Sequence, residues 1–353
     1  MTPLAQLLAR RIAALGPMTL AEYMAECLLH PEHGYYTTRP PFGTAGDFTT
    51  APEISQMFGE LLGLCLAQHW LDSGAPAPFT LAELGPGRGT LMADVLRATR
   101  GVPGFHAAAR LHLVEASPAL RAEQARALSG HAPIWCDRAE NLPDAPLYLL
   151  ANEFFDALPI RQFRRAGEAW AETVISLSPA GSLTLGLAPP APLAALAPRL
   201  TDTRDGDVVE LCPAAAPIIA SLAARIAAQG GFALILDYGG WRSLGDTFQA
   251  LRAHAPTDPL AAPGQADLTA HVDFQALASA ARPLAHHYST QGALLARLGI
   301  GPRSQRLAQS LAGAALDNHL AAARRLTHPQ EMGELFKALA LTRPQDPPPP
   351  GFA

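Results

Sequence analysis

The stretch FTLAELGPGRGTLMADVLRAT, residues 79–99, decides the fold of this 353-residue chain. It opens on an apolar strand, FTLAELG, crosses three glycines at alternate positions, and enters the helix TLMADVLRAT. Glycine lets a backbone turn sharply and approach a ligand closely. The first turn of the following helix offers N–H groups with no partner inside the helix. A plain left-handed turn would show similar residues, so the neighbouring segments have to choose between the two.

Those neighbours repeat the strand–loop–helix pattern. RLHLVEA is a strand, PALRAEQARAL a helix, and PIWC and LYLLAN are further strands. The helix APIIASLAARIAAQ, the strand GFALILDYG, and the strands LAHHYSTQ and ELFKALALT follow. Short apolar runs alternating with helices predict a parallel, doubly wound α/β sheet covered on both faces. Residues 1–75 are expected to form a helical cap with a long loop that serves as an active-site lid. A catalytic domain is expected over 76–343, with an insertion at 166–203 that forms a hairpin and a loose connector. The proline-rich end, 344–353, reads as a disordered tail.

Which cofactor the glycines serve turns on one position. A dinucleotide fingerprint, GxGxxG, would need glycine at 90, where the chain has Thr90. The pattern is instead E-x-G-x-G-x-G, with Glu83 ahead of Gly85, Gly87 and Gly89, the form used with S-adenosylmethionine (SAM). A carboxylate there suits the cationic amino group of SAM. Glu115, thirty residues after Gly85, ends the next strand. An acid in that place accepts from both hydroxyls of a ribose and serves NAD and SAM alike. Asp137, after PIWC, falls where an adenine amino group would lie.

Composition bounds the rest. Net charge is −5 with no basic run, which argues against nucleic acid as a partner. Lys337 is the one lysine among 26 basic residues, a bias of GC-rich genomes, so a bacterial source is expected. Cys27, Cys65, Cys136 and Cys212 are scattered without a CxxC pair, and suggest neither a zinc site nor a disulfide framework. The first eighteen residues contain Arg10 and Arg11 and no acid, yet Leu4, Leu7, Leu8 and Ile12 have the spacing of an amphipathic helix. No stretch approaches the ~20 apolar residues of a membrane span. The expectation is a soluble, cytoplasmic protein without a metal, its oligomeric state open.

A second stretch, LLANEFFDALPIRQF at 149–163, sets Asn152, Glu153 and Asp156 directly after an apolar run. With it, the chain resembles the MidA-like family of class I SAM-dependent methyltransferases. The resemblance rests on GYYTT (34–38), GDFTTAPEISQMFGELLG (46–63), ELGPGRGTLMADVLR (83–97), VEASPALRAEQ (114–124), NEFFDALPIRQF (152–163), LDYG (236–239), ADLTAHVDF (266–274) and EMGELFKALAL (331–341). It implies a Rossmann-like sheet of seven strands whose last runs antiparallel. It also implies a protein arginine methyltransferase whose partner is a subunit of respiratory complex I.

Arginine is a demanding nucleophile, because its guanidinium stays protonated to above about pH 12. Carboxylates that accept from its N–H groups localise electron density on the attacking nitrogen, and one takes up the proton. Carboxylates beside a doubly wound crevice lie at the C-terminal ends of strands. Glu153, Asp156 and Asp237 satisfy this, while Asp47 and Glu53 lie in the expected lid. Asn152 echoes the amide of nitrogen methyltransferases and is assigned to both substrate and cofactor. Asp156 reads equally as a turn cap, and Phe154 and Phe155 as core. His254 and His271 fit no zinc spacing. Two alternatives stay open: a methyltransferase for another side chain or a small molecule, and a SAM-binding assembly factor without turnover.

Overall fold

Phe79–Leu84 is buried at all six positions, as a parallel strand covered on both faces must be. In the computed structural model, which describes residues 2–38 and 50–352, this strand is β1. It is followed by β2 (Ala109–Val114), β3 (Ile134–Cys136), β4 (Leu147–Asn152), β5 (Gly231–Gly240), β6 (Ala285–Thr290) and β7 (Phe336–Thr342). The order across the sheet is β6-β7-β5-β4-β1-β2-β3. β1 pairs in parallel with β2 on one side and β4 on the other. β7 runs antiparallel to both β5 and β6. The expected seven-stranded, Rossmann-like sheet with an antiparallel last strand is therefore present. Its order reverses between β1 and β4, which makes their C-terminal ends the natural ligand crevice.

The chain divides into two units, and the sheet belongs to the one comprising Thr49–Phe155, Pro217–Gly240 and Phe274–Ala353. Its helices include α1 (Gln56–Asp72), α2 (Thr90–Thr99) and α3 (Pro118–Ala127). α1 lies close on α2 because Gly59 and Gly63 carry no side chain. A Cβ at Gly59 would stand 2.6 Å from the Asp94 Cβ, and one at Gly63 would stand 2.9 Å from the Val95 Cα. Phe79, Phe105, Trp70 and Tyr148 interlock in the core at centroid separations of 5.0–5.3 Å for Trp70–Phe105, Phe79–Phe105 and Phe79–Tyr148. The end of the chain is not frayed as its prolines suggest. Phe352 packs against this core, the Cys65 thiol donates to the Pro350 carbonyl at 3.4 Å, and Arg343 pairs with Asp346 at 2.9 Å. Proline stiffens these turns, and a single aromatic side chain supplies the anchor.

The other unit gathers Met1–Phe48, Asp156–Ala216 and Trp241–Asp273. The amphipathic helix Pro3–Leu15 buries Leu4, Leu8 and Ile12, and the helix Leu20–Leu29 opens with a capping box between Thr19 and Glu22. Arg161–Ala166 pairs antiparallel with Ala169–Leu177 and with Val208–Leu211, and Leu183–Leu187 completes the expected hairpin. The segment after it is not a loose connector: Leu196 packs into a small core with Phe163, Trp170 and Val209. A second sheet sets Gln249–Arg252 between Ala255–Thr257 and Asp267–Thr269. This division differs from the expected boundaries at 75 and 343. α1, assigned to the cap by position, belongs with the sheet, and the unit holding the N-terminus takes in far more than residues 166–203. Periodicity reveals elements but not which distant segments they pack with.

Candidate active site

The turn from β1 into α2 places Gly85, Gly87 and Gly89 at φ of 59°, 52° and 84°. Gly85 is forced twice over, because a Cβ there would also stand 2.9 Å from the Phe154 ring. Gly89 occupies the cap position of α2 with no side chain to satisfy the first N–H groups, which leaves the donors of a helix N-terminus open at the crevice. Thr90, where a dinucleotide loop would have glycine, donates its hydroxyl to Glu53 Oε1 at 2.6 Å.

Beside the loop are two buried acceptors. Glu83, penultimate on β1, is 2% exposed, and its Oε2 has no hydrogen-bond partner among the described residues. Burial pushes its carboxyl up to about 8, because a charge without water or a donor is costly. Asn152, the last residue of neighbouring β4, is 8% exposed and leaves Oδ1 without a partner. Its amide nitrogen donates to Glu153 Oε1 at 3.1 Å, and the Ala51 N–H donates to the same oxygen at 3.2 Å. Glu153 has φ of 52°, a left-handed conformation that a non-glycine residue adopts at a cost of about 1–3 kcal/mol.

What holds that conformation is Asp237. Its Oδ2 accepts from the N–H groups of Phe154 at 3.2 Å and Phe155 at 3.0 Å, and its Oδ1 accepts from Tyr238 at 3.0 Å. The Glu153 N–H donates to the Leu236 carbonyl at 2.9 Å. Asp237 is fully buried, and its carboxylate positions this turn through those three backbone N–H groups. Phe155 is core, at 3% exposure, whereas Phe154 is half-buried against Gly85.

At the end of β2, Glu115 Oε1 accepts from the Ser117 N–H at 2.8 Å and Oε2 from the Gln124 amide at 3.2 Å. Burial raises its carboxyl, and these donors pull the other way. Gln124 also donates to the Gly87 carbonyl at 2.8 Å and accepts from the Trp135 indole at 2.8 Å. It joins the glycine loop to the acid of β2, a role not anticipated above. A visible signal is the resemblance-bearing VEASPALRAEQ, which ends on it. Asp137 is 79% exposed at its side chain and pairs with Arg121 at 2.6 Å.

The structure thus brings Glu83, Gly85, Gly87, Gly89, Glu115, Asn152, Glu153 and Glu53 to the C-terminal ends of β1, β2 and β4. Asp156 belongs to the other unit, 5% exposed, with its carbonyl accepting from the Ala270 N–H at 3.0 Å. Asp47 lies outside the described residues. His254 is the exposed second residue of a two-residue hairpin turn, with φ of 62°. The His271 N–H donates to the Thr247 hydroxyl at 2.8 Å. Among the described residues no group of three His, Cys, Asp or Glu side chains could hold a metal ion.

These residues fit SAM. The two unpartnered buried acceptors, Glu83 Oε2 and Asn152 Oδ1, suit a ligand with a cationic amino group, and the glycine turn leaves its backbone open to close approach. Comparison with known proteins agrees. Residues 61–291 match a family described as "Putative S-adenosyl-L-methionine-dependent methyltransferase". The chain is 38% identical to the mitochondrial protein arginine methyltransferase NDUFAF7 of Danio rerio over 358 residues, 94% of this chain and 84% of that protein. It is 37% identical to the Homo sapiens protein of the same name over 374 residues, 96% and 83% of the two chains. A crystal structure of a Burkholderia thailandensis protein bound to S-adenosyl-homocysteine superposes with a TM-score of 0.84 at 29% identity, covering 99% of this chain and 94% of that one. The expectation of a cytoplasmic, bacterial protein is corrected by these curated relatives, which are mitochondrial proteins of animals. Arginine-for-lysine usage reflects nucleotide bias and carries no cellular address.

Proposed function

The chain belongs to the S-adenosyl-L-methionine-dependent methyltransferase family, and from that premise we propose that it methylates arginine side chains of a protein, a subunit of respiratory complex I. It is an enzyme whose cofactor is SAM. When bound, SAM supplies an electrophilic methyl group on a sulfonium centre.

The observation that carries the reading is Glu153. Its backbone is held in a costly conformation by the Asp237 clamp, and one carboxylate oxygen is fixed by the Asn152 amide and the Ala51 N–H. Strain maintained at the end of a central strand marks a position where orientation matters. In this reading Glu153 accepts from guanidinium N–H groups and takes the proton lost on methylation. Asn152 Oδ1 orients the target nitrogen or the cofactor's amino group. Glu83 and the glycine loop hold the amino-acid end of the cofactor, Glu115 its ribose, and Asp137 its adenine edge. Glu115 is prepared for this by the Ser117 N–H and the Gln124 amide, which donate to one carboxylate oxygen each.

The test is to incubate the protein with methyl-tritiated SAM and purified complex I subunits, then hydrolyse the product and separate its amino acids. Labelled methylarginine is expected. Glu153→Gln should lower its rate by about a hundredfold while S-adenosylhomocysteine affinity stays within about threefold. Label confined to another residue or to small molecules refutes the reading.

A further inference from the structure

Three of the segments that carry the family resemblance meet inside the unit that holds the N-terminus. Tyr36, from GYYTT, donates its hydroxyl to Asp267 Oδ1, from ADLTAHVDF, at 2.8 Å. The Ala270 N–H bonds the carbonyl of Asp156, from NEFFDALP, at 3.0 Å, which seats Asp156 beside the strand Asp267–Thr269. Both carboxylates are buried, at 5% and 8% exposure. The Tyr36 hydroxyl is held well above its ordinary range first by burial, then by Asp267 and Asp156.

The strand also carries Thr269. Ala266, Leu268 and Ala270 lie in the unit's apolar core. By the alternation of a strand, Asp267 and Thr269 therefore share the opposite face. Thr269 is 1% exposed, and its Oγ1 has no hydrogen-bond partner among the described residues. A buried hydroxyl without a partner is unusual enough to require an explanation, and a ligand seated on the face of Asp267 supplies one.

The chemistry selects the ligand. Among the described residues no group of three His, Cys, Asp or Glu side chains that could hold a metal ion occurs. Two carboxylates, a phenol and a threonine hydroxyl match a cation that spreads its charge over several N–H donors. Guanidinium has five donors in one plane, is weakly hydrated, and pairs bidentately with carboxylates. We propose that Asp156, Asp267, Tyr36 and Thr269 form a subsite that binds a guanidinium of the protein substrate. This rests on the arginine-methyltransferase reading and adds to it the residues that recognise the substrate's charge.

The full-length protein, saturated with S-adenosylhomocysteine, is titrated by calorimetry with an acetylated, amidated arginine tripeptide and with its citrulline isostere. Citrulline keeps the shape and loses the charge, and should bind about tenfold weaker or worse. Asp267→Asn should weaken arginine binding by about tenfold, and S-adenosylhomocysteine affinity should not change. Thr269→Val should weaken it by about fivefold without lowering the melting temperature, because it removes only an unpartnered buried hydroxyl. That last pair of readouts separates recognition from folding. Equal binding of the two peptides, binding of neither, or unchanged arginine binding in both variants overturns the subsite. The two readings fail separately. Methylarginine formed with an unaltered KM by Asp267→Asn removes the subsite and leaves the reaction. Charge-selective binding without methylarginine from any substrate removes the reaction and leaves the subsite.

Discussion

Raising the pH from 6 to 8 should tighten cofactor binding by about fiftyfold, through a single carboxyl. Glu83 is 2% exposed with an unpartnered Oε2, and burial moves its carboxyl from an ordinary 4.5 to about 8. Without ligand it is therefore mostly protonated at neutral pH. If it receives the cofactor's ammonium group, it must ionise to do so, and binding releases a proton. Each pH unit below 8 costs about 1.4 kcal/mol of that ionisation. The curve should steepen to about tenfold per unit near pH 6 and gain less than about twofold above pH 8. Calorimetry with S-adenosylhomocysteine in two buffers of different ionisation heat measures both affinity and protons, with about one proton released at pH 6 and about half at pH 8.

The same shift acts on stability, with the opposite sign to a salt-bridged acid. The folded carboxyl holds a proton that the unfolded chain releases above 4.5. Stability is therefore lost as pH rises from about 4.5 to 8, by an amount on the order of 5 kcal/mol for this group. Glu83→Gln should abolish that loss, flatten the binding curve, and weaken binding at pH 8 by about tenfold or more. Affinity independent of pH between 6 and 8, with no proton released, refutes the reasoning.

Asp237→Asn replaces one acceptor of the clamp with a donor facing N–H groups; turnover should fall by about a hundredfold while S-adenosylhomocysteine affinity, read by calorimetry, stays within about threefold. Gly85→Ala should cost about 2 kcal/mol in urea denaturation, from its positive φ and the Phe154 contact, and adding Phe154→Ala should recover part of it. Deleting residues 344–353 should lower the melting temperature by several degrees, since Phe352 leaves the core and Arg343 loses Asp346. An unchanged melting temperature would show that the end of the chain contributes nothing.

Local order carried the strands and helices of the sheet unit into view. LYLLAN and TLMADVLRAT coincide with β4 and α2, and the alternating glycines with their turn, because burial on both faces and positive φ leave their mark on adjacent residues. The same holds for Glu83 and Glu115, whose places follow from strand ends. Asp237 reads as a crevice acid until its oxygens are seen on the N–H groups of Phe154 and Phe155, more than eighty residues away. Gln124 likewise looks like an ordinary residue of a polar helix until it bonds Gly87 and Glu115. Asp156 is three residues from Glu153 in the chain, yet it belongs to a unit assembled from three separated segments.

Adjacent residues therefore determined the sheet, the glycine turn and the cofactor class, since periodicity, backbone conformation and strand ends are local properties. Only the tertiary structure decided which distant groups each carboxylate bonds, because a hydrogen-bond partner or an electrostatic neighbour distant in sequence leaves no trace in the order of residues around it.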